Sequence, residues 1–183
     1  MAGVFAPLQL GVGVSGGAEA AVHRYLSTMP DIHVVVKLDF TNAFNSLRRD
    51  CMLEAIARDV PELYRFVYAS YTVEPILQHG SGTVRSREGP QQGDPLGPLE
   101  FCCTIHPLLE RLRSELRIGF LDILTLGGDS DIVVSDVYLI EKEAAAFGLT
   151  LNKSRPRSRG LVLVMASLQM LCLASRLKPW LRP

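Results

Sequence analysis

The eight residues HVVVKLDF, positions 33–40, limit what this chain can fold into more than any other stretch. Three consecutive valines are stiff at χ1 and suit a pleated backbone better than a helix. Pro30-Asp31 punctuates the run on its N-terminal side, so it reads as a buried strand. It ends in Asp39, which puts a carboxylate where a core strand meets solvent. A second segment, GFLDILTLGG at 119–128, reads as strand, tight turn, strand, with Asp122 at the apex and Ile123 beside it.

The remainder of the chain mixes helical and extended patterns. GVGVSGGAEAAVHRYL (11–26) is a glycine loop running into a short amphipathic helix. No clear strand precedes it and no acid follows at the ribose-binding distance, so it is not a dinucleotide fingerprint. From Ala43 the residues Phe44, Leu47, Cys51, Ala55 and Ile56 share one helical face, with Arg48, Arg49, Glu54 and Arg58 elsewhere. Pro61 suits the first turn of a further helix, PELYRFVYASY. Residues 75–89 read as a hairpin around Gly80-Ser81-Gly82. GPQQGDPLGP (89–98) holds three prolines and three glycines and reads as loop, with the helix EFCCTIHPLLERLRSEL after it. Past the second hairpin, Asp129 or Ser130 caps a helix running to Phe147, Gly148 stops it, and LTLN (149–152) is a short last strand. This order predicts an α+β domain, an antiparallel sheet with helices packed on one face.

Composition narrows the function classes. With 48% hydrophobic and 21% charged residues in 183, the chain reads as a packed globule, one domain or a large piece of a bigger one. Charge is uneven: residues 1–153 carry 13 Lys and Arg against 19 Asp and Glu, a net of −6, while 154–183 carry 6 basic residues and no acid. An acidic body is an unpromising unaided nucleic-acid binder, because affinity for phosphate chains comes largely from cations. Cys51, Cys102, Cys103 and Cys172 show no metal-ligand or CxxC spacing and read as intracellular thiols packed like small apolar side chains. The N-terminus lacks the basic and apolar regions of a signal peptide. Leu161–Ala174 is apolar but only 14 residues long, short of the roughly 20 a membrane span needs, though its basic flanks leave surface association open.

An isolated Asp at a strand end is commonly a solvated turn residue. Two such acids on neighbouring strands would instead suit a hard cation, since magnesium takes carboxylate oxygens together with substrate phosphates. The runs KLDFTNAFNSL, EGPQQGDPLGP, GFLDILTLGG and FGLTLN, in that order, resemble the palm of a reverse transcriptase of the non-LTR retroelement type. The resemblance covers residues 9–155 and implies a polymerase palm carrying part of the fingers over 1–155, with 156–183 an unrelated basic and apolar tail.

The resemblance implies nucleotidyl transfer by two magnesium ions, with an RNA template, a DNA primer and a deoxynucleoside triphosphate as partners. Asp39 matches the first catalytic aspartate, which holds both metals, and Phe40 the position whose backbone lies beside the triphosphate at the metal site. Asp122 matches the first acid of the second catalytic motif. Phe44 matches an aromatic gate that leaves no volume for a ribose 2′-hydroxyl, and it serves equally well as ordinary helix core. Gln92 and Gly93 match nucleotide-binding positions, and Asp94, Pro95 and Leu96 match positions against the template and primer. Arg155 stands where the final motif usually carries Lys; it keeps a cation but does not give up a proton.

The hairpin departs from the resemblance at one point. The usual pattern is Leu-Asp-Asp, whereas this chain has Leu121-Asp122-Ile123. Replacing a carboxylate by an apolar side chain removes a ligand and a unit of negative charge, so impaired or absent polymerisation is expected. The fingers that grip the triphosphate are expected ahead of residue 1, and the tail resembles no thumb. Two other readings are left by the sequence: a working RNA-directed DNA polymerase that uses Asp39 and Asp122 alone, and a non-catalytic module that keeps the palm fold and binds RNA or protein.

Overall fold

The structure, a computed structural model, describes residues 5–28, 34–152 and 162–165. Its strands are β1 (Val34–Asp39), β2 (Ile76–His79), β3 (Gly82–Arg85), β4 (Leu116–Phe120), β5 (Ile123–Gly128) and β6 (Val162–Met165). Its helices are α1 (Gly17–Thr28), α2 (Ala43–Ser46), α3 (Arg49–Asp59), α4 (Pro61–Tyr71), α5 (Gly97–Arg111) and α6 (Ser130–Ala144). A four-stranded antiparallel sheet in the order β4-β5-β1-β6 forms the centre, and β2 and β3 make a separate hairpin. The α+β class and the antiparallel sheet expected from the sequence are both present.

Strand alternation sorts the central sheet into two faces. Val34, Val36 and Leu38 of β1 join Leu124 and Leu126 of β5 in the main core, beneath helical residues such as Ile56, Phe101, Ile105, Val137 and Ile140. Leu124 and Leu126 are fully buried, and each contributes about 1.5–3 kcal/mol by leaving water. The β4–β5 hairpin is therefore held by its apolar arm, whatever stands at its tip. On the opposite face Val35, Leu116 and Ile118 meet Leu10 and the α1 residues Ala20, Ala21 and Tyr25. Helices thus cover the face formed by β1 and β5, and α1 covers part of the other, which the sequence pattern did not disclose.

Tertiary hydrogen bonds redraw two expected elements. The helical pattern from Ala43 is interrupted, because Leu47 and Arg48 are extended (ψ 128° and 127°) and pair outward: Gly89 N donates to Leu47 O at 2.7 Å and Arg48 N to Phe147 O at 2.9 Å. LTLN narrows to one bridge, Leu151 against Phe40, with Thr41 N donating to Thr150 O at 2.8 Å and Asn152 N to Asp39 O at 2.9 Å. Other expected boundaries hold: Pro61 opens α4, and Asp129 caps α6 by accepting from the amides of Asp131 and Ile132. Within α6, buried Asp136 accepts from Arg113 N, Ser114 N and Ser114 Oγ, tying that helix to the chain entering β4.

β6 falls inside the segment read as an unrelated tail, and it pairs with β1 from Val34↔Met165 to Lys37↔Val162. The rest of that tail, including Cys172 and most of Leu161–Ala174, lies outside the described residues. Among the described residues no helix is long and apolar enough to cross a membrane. Cys102 and Cys103 are buried in α5, and burial pushes both thiols up to about 12, which suits packing rather than reactivity.

Candidate active site

Register brings the two sequence-identified aspartates to one end of the sheet. Asp39, the last residue of β1, pairs with Ile123, and Phe120 pairs with Ile123 across a two-residue turn formed by Leu121 and Asp122. Asp122 is thus one residue from the position directly opposite Asp39. Directly opposed residues on antiparallel strands lie about 4.5–5.5 Å apart at Cα and share a face. Asp39 and Ile123 are therefore neighbours on the face that also carries Lys37, Thr125 and Phe120. Asp39 is 9% exposed and Asp122 is half-buried at the tip.

Ile123 has an apolar setting. With Val22, Tyr25, Ile118 and Phe120 it lines a cavity of about 330 Å³ between α1 and the hairpin, with Lys37 at its wall. Asp129 and Asp131 are the next acids along the chain after Asp122. Asp129 stands past the far end of β5, roughly 20 Å from the turn at about 3.4 Å per residue, and is committed to the cap of α6, in whose first turn Asp131 lies. Among the described residues no three His, Cys, Asp or Glu side chains converge on a point that could hold a metal ion. Phe40 is buried, with its backbone bridged to Leu151.

The loop residues gather at a second cavity, of about 280 Å³, lined by Phe44, Gln92, Gly93, Asp94 and their neighbours Pro90 and Pro98. Phe44 stacks on Phe101 with ring centroids 4.8 Å apart and an interplanar angle of 21°, so one ring serves both as core contact and as cavity wall. Gln92 Nε2 donates to Asn45 Oδ1 at 3.0 Å, linking the loop to α2. Gly93 has φ 89°, a backbone conformation that excludes most side chains, and a Cβ there would meet nothing within 4 Å. Pro95 is exposed, and Leu96 packs against the main core. Arg155 lies outside the described residues.

Several residues that hold this loop carried no sequence signal. Asp94 Oδ2 accepts from the Tyr71 hydroxyl at 2.5 Å, Asp94 Oδ1 from Leu96 N at 2.8 Å, and Tyr71 Oη accepts from Gln91 N at 2.9 Å. Burial first, then the bond to Asp94, push the Tyr71 phenol far above its ordinary range. Arg49 lies 5.0 Å over the Tyr71 ring and donates to Gly89 O at 3.0 Å, Ser86 O at 2.7 Å and Ser86 Oγ at 2.7 Å. Glu100 is fully buried in α5, and neither of its carboxyl oxygens makes a hydrogen bond. Burial, then the nearby Asp94 charge, raise its pKa to about 7. Only the spacing of Tyr71 and Arg49 on helices facing the loop could have pointed to them, and helical periodicity does not specify partners.

No protein-family profile matches the sequence, and no curated protein matches it. Solved structures do. Apo telomerase from Candida tropicalis superposes at TM-score 0.63 with 12% identity, over 82% of this chain and 32% of that one. A form of the same enzyme truncated from its C-terminal domain gives TM-score 0.59 at 12% identity, over 83% and 34%. Telomerase from Candida albicans, in complex with a TWJ fragment of telomeric RNA, gives TM-score 0.60 at 13% identity, over 83% and 30%. The chain spans about a third of the length of these telomerases. What it shares with these telomerases is the fold.

Proposed function

We propose that this chain is the palm portion of a reverse transcriptase of retroelement type and that it does not catalyse polymerisation. The observation that carries this reading is the pairing of Asp39 with Ile123. In a two-metal nucleotidyl transfer, carboxylates neutralise two divalent ions and orient the attacking and leaving oxygens. Here the register brings together Asp39 and Asp122, and the third corner is a hydrocarbon side chain set among Val22, Tyr25 and Phe120. Two carboxylates suit at most one magnesium ion completed by substrate phosphates. This donor set does not fit a pair of ions, so no step is assigned to them.

The cavity around Phe44, Gln92 and Gly93 supports the nucleotide role expected of those residues, and in this reading Asp94, Pro95 and Leu96 meet the template and primer. RNA template and DNA primer are the partners of this reading, supported by the fold shared with telomerases and by the structure of one in complex with telomeric RNA. Primer extension on an RNA template with magnesium or manganese is the test. The unaltered chain is expected to give no extension and Ile123→Asp a measurable product. Robust extension by the unaltered chain would overturn the assignment of lost chemistry.

A further inference from the structure

The turn that carries Asp122 is built in an unusual way. Leu121 has φ 56°, a left-handed conformation that disfavours any residue with a side chain and that hairpin turns of this length normally give to Gly or Asn. Something outside the hairpin must hold it there. The chain at 8–10 runs beside β4, with Leu10 N donating to Gly119 O at 2.8 Å and Gly119 N to Leu8 O at 2.7 Å. This places the fully buried side chain of Gln9 under the turn. Gln9 Oε1 accepts from Leu121 N at 2.9 Å, and Gln9 Nε2 donates to Leu121 O at 3.3 Å. Oε1 also accepts from Gly11 N at 3.3 Å. The side-chain amide therefore pairs with both polar groups of the Leu121 backbone, as a peptide unit would in a sheet.

The surroundings admit this contact narrowly. A Cβ at Gly119 would sit 2.8 Å from Gln9 Nε2, and one at Gly11 would sit 2.8 Å from Leu121 N. The pairing also needs a donor and an acceptor on a side chain of this length. Glu lacks the donor, Asn is one methylene short, and Met has the length without either group.

We propose that Gln9 is a positioning residue for the hairpin acid: its amide holds Leu121 in the left-handed conformation and so fixes where Asp122 stands beside Asp39. The proposal rests on reading the hairpin as a polymerase-derived catalytic turn, and it names a residue far away in sequence on which that turn depends.

The test combines Gln9→Met, which preserves length and apolar volume, with Leu121→Gly, which makes the left-handed conformation accessible without help. Hydrogen exchange at the residue 121 amide is read first, in the otherwise unaltered chain. Gln9→Met is expected to speed it at least tenfold and to move the Leu121 Cα and Cβ carbon shifts away from left-handed values. Primer extension is then read in the Ile123→Asp chain, where Gln9→Met is expected to lower the rate at least tenfold and added Leu121→Gly to recover most of it. A residue that merely packs gives no such rescue. Unchanged exchange and shifts in Gln9→Met overturn the proposal, as does a loss of extension of the same size with Leu or Gly at 121. If the Ile123→Asp chain extends nothing while exchange still depends on Gln9, the polymerase reading fails and the clamp stands.

Discussion

The two halves of the candidate site are held in opposite ways. Around the 89–98 loop, the residues expected to touch a nucleotide are also structural: Asp94 bonds Tyr71 and Leu96 N, Gln92 bonds Asn45, and Phe44 stacks on Phe101. At the hairpin the backbone is held by buried leucines and by Gln9, while Asp122 and Ile123 project from a frame that does not depend on them. Replacing a loop residue is therefore expected to disturb the fold, whereas replacing Asp122 is expected to leave it intact. A residue at a hairpin tip can change without disturbing the sheet when the strands are held elsewhere, and Ile123, a strand-forming residue, suits its place in β5.

The sharpest way to break this contrast is through Glu100, which lies under the loop. Its carboxyl is fully buried and unbonded, and its pKa rises from 4.5 to about 7. A group whose folded pKa exceeds its unfolded value binds extra protons in the folded state, so its contribution is present below pH 4.5 and is lost as pH rises through about 7. The contribution of Glu100 is expected to fall by about 3 kcal/mol between these limits, at about 1.36 kcal/mol per pH unit. Glu100→Gln is expected to flatten the profile over that window. Denaturant melts at pH 4.5, 6 and 8 measure both, and equal pH dependence in the two proteins would assign the effect elsewhere.

A smaller effect tests whether the loop depends on its tyrosine. Tyr71→Phe removes the hydroxyl that donates to Asp94 and accepts from Gln91 N, leaving two part-buried groups unpaired. The expected cost is about 2 kcal/mol, within the range for an unsatisfied buried polar group. The midpoint should shift with the denaturant slope unchanged. Amides of 89–98 should lose exchange protection while those of β5 keep theirs. Equal loss in both would show that loop and hairpin are one cooperative unit.

Much of this arrangement was legible in the sequence because it rests on local signals. The valine run of β1, the alternation in β5, Pro61 at the start of α4 and Asp129 at the cap of α6 each follow from periodicity or capping chemistry. Asp39 and Asp122 were found as strand-end acids, and the pairing of β1 with β5 brings them to one end of the sheet. Long-range pairings were not legible. Leu47 and Arg48 leave the helix for partners at Gly89 and Phe147, 42 and 99 residues away in sequence. Gln9 reaches Leu121 across 112 positions. An amide that finds its partner so far along the chain leaves no mark on the composition or period of its own segment.

The smallest expected effect bears most directly on the history of the hairpin. Ile123 is half-buried, at the open end of the face covered by α1, with its wall-mates Val22 and Phe120 themselves 56% and 37% exposed. An acid there keeps its charge near solvent and forgoes part of one strand-forming side chain, on a propensity scale that spans about 1 kcal/mol. Repulsion from Asp39 adds to this, moderated by Lys37 two residues back on the same face and relieved by a divalent cation. Ile123→Asp is therefore expected to cost about 1 kcal/mol in the absence of metal, and less with millimolar magnesium or manganese. Paired denaturant melts of the two chains, with and without the cation, measure both quantities. A loss of 3 kcal/mol or more, unrelieved by either ion, would mean that isoleucine is a structural member of this sheet, and the hairpin could not then have lost its acid without consequence for the fold.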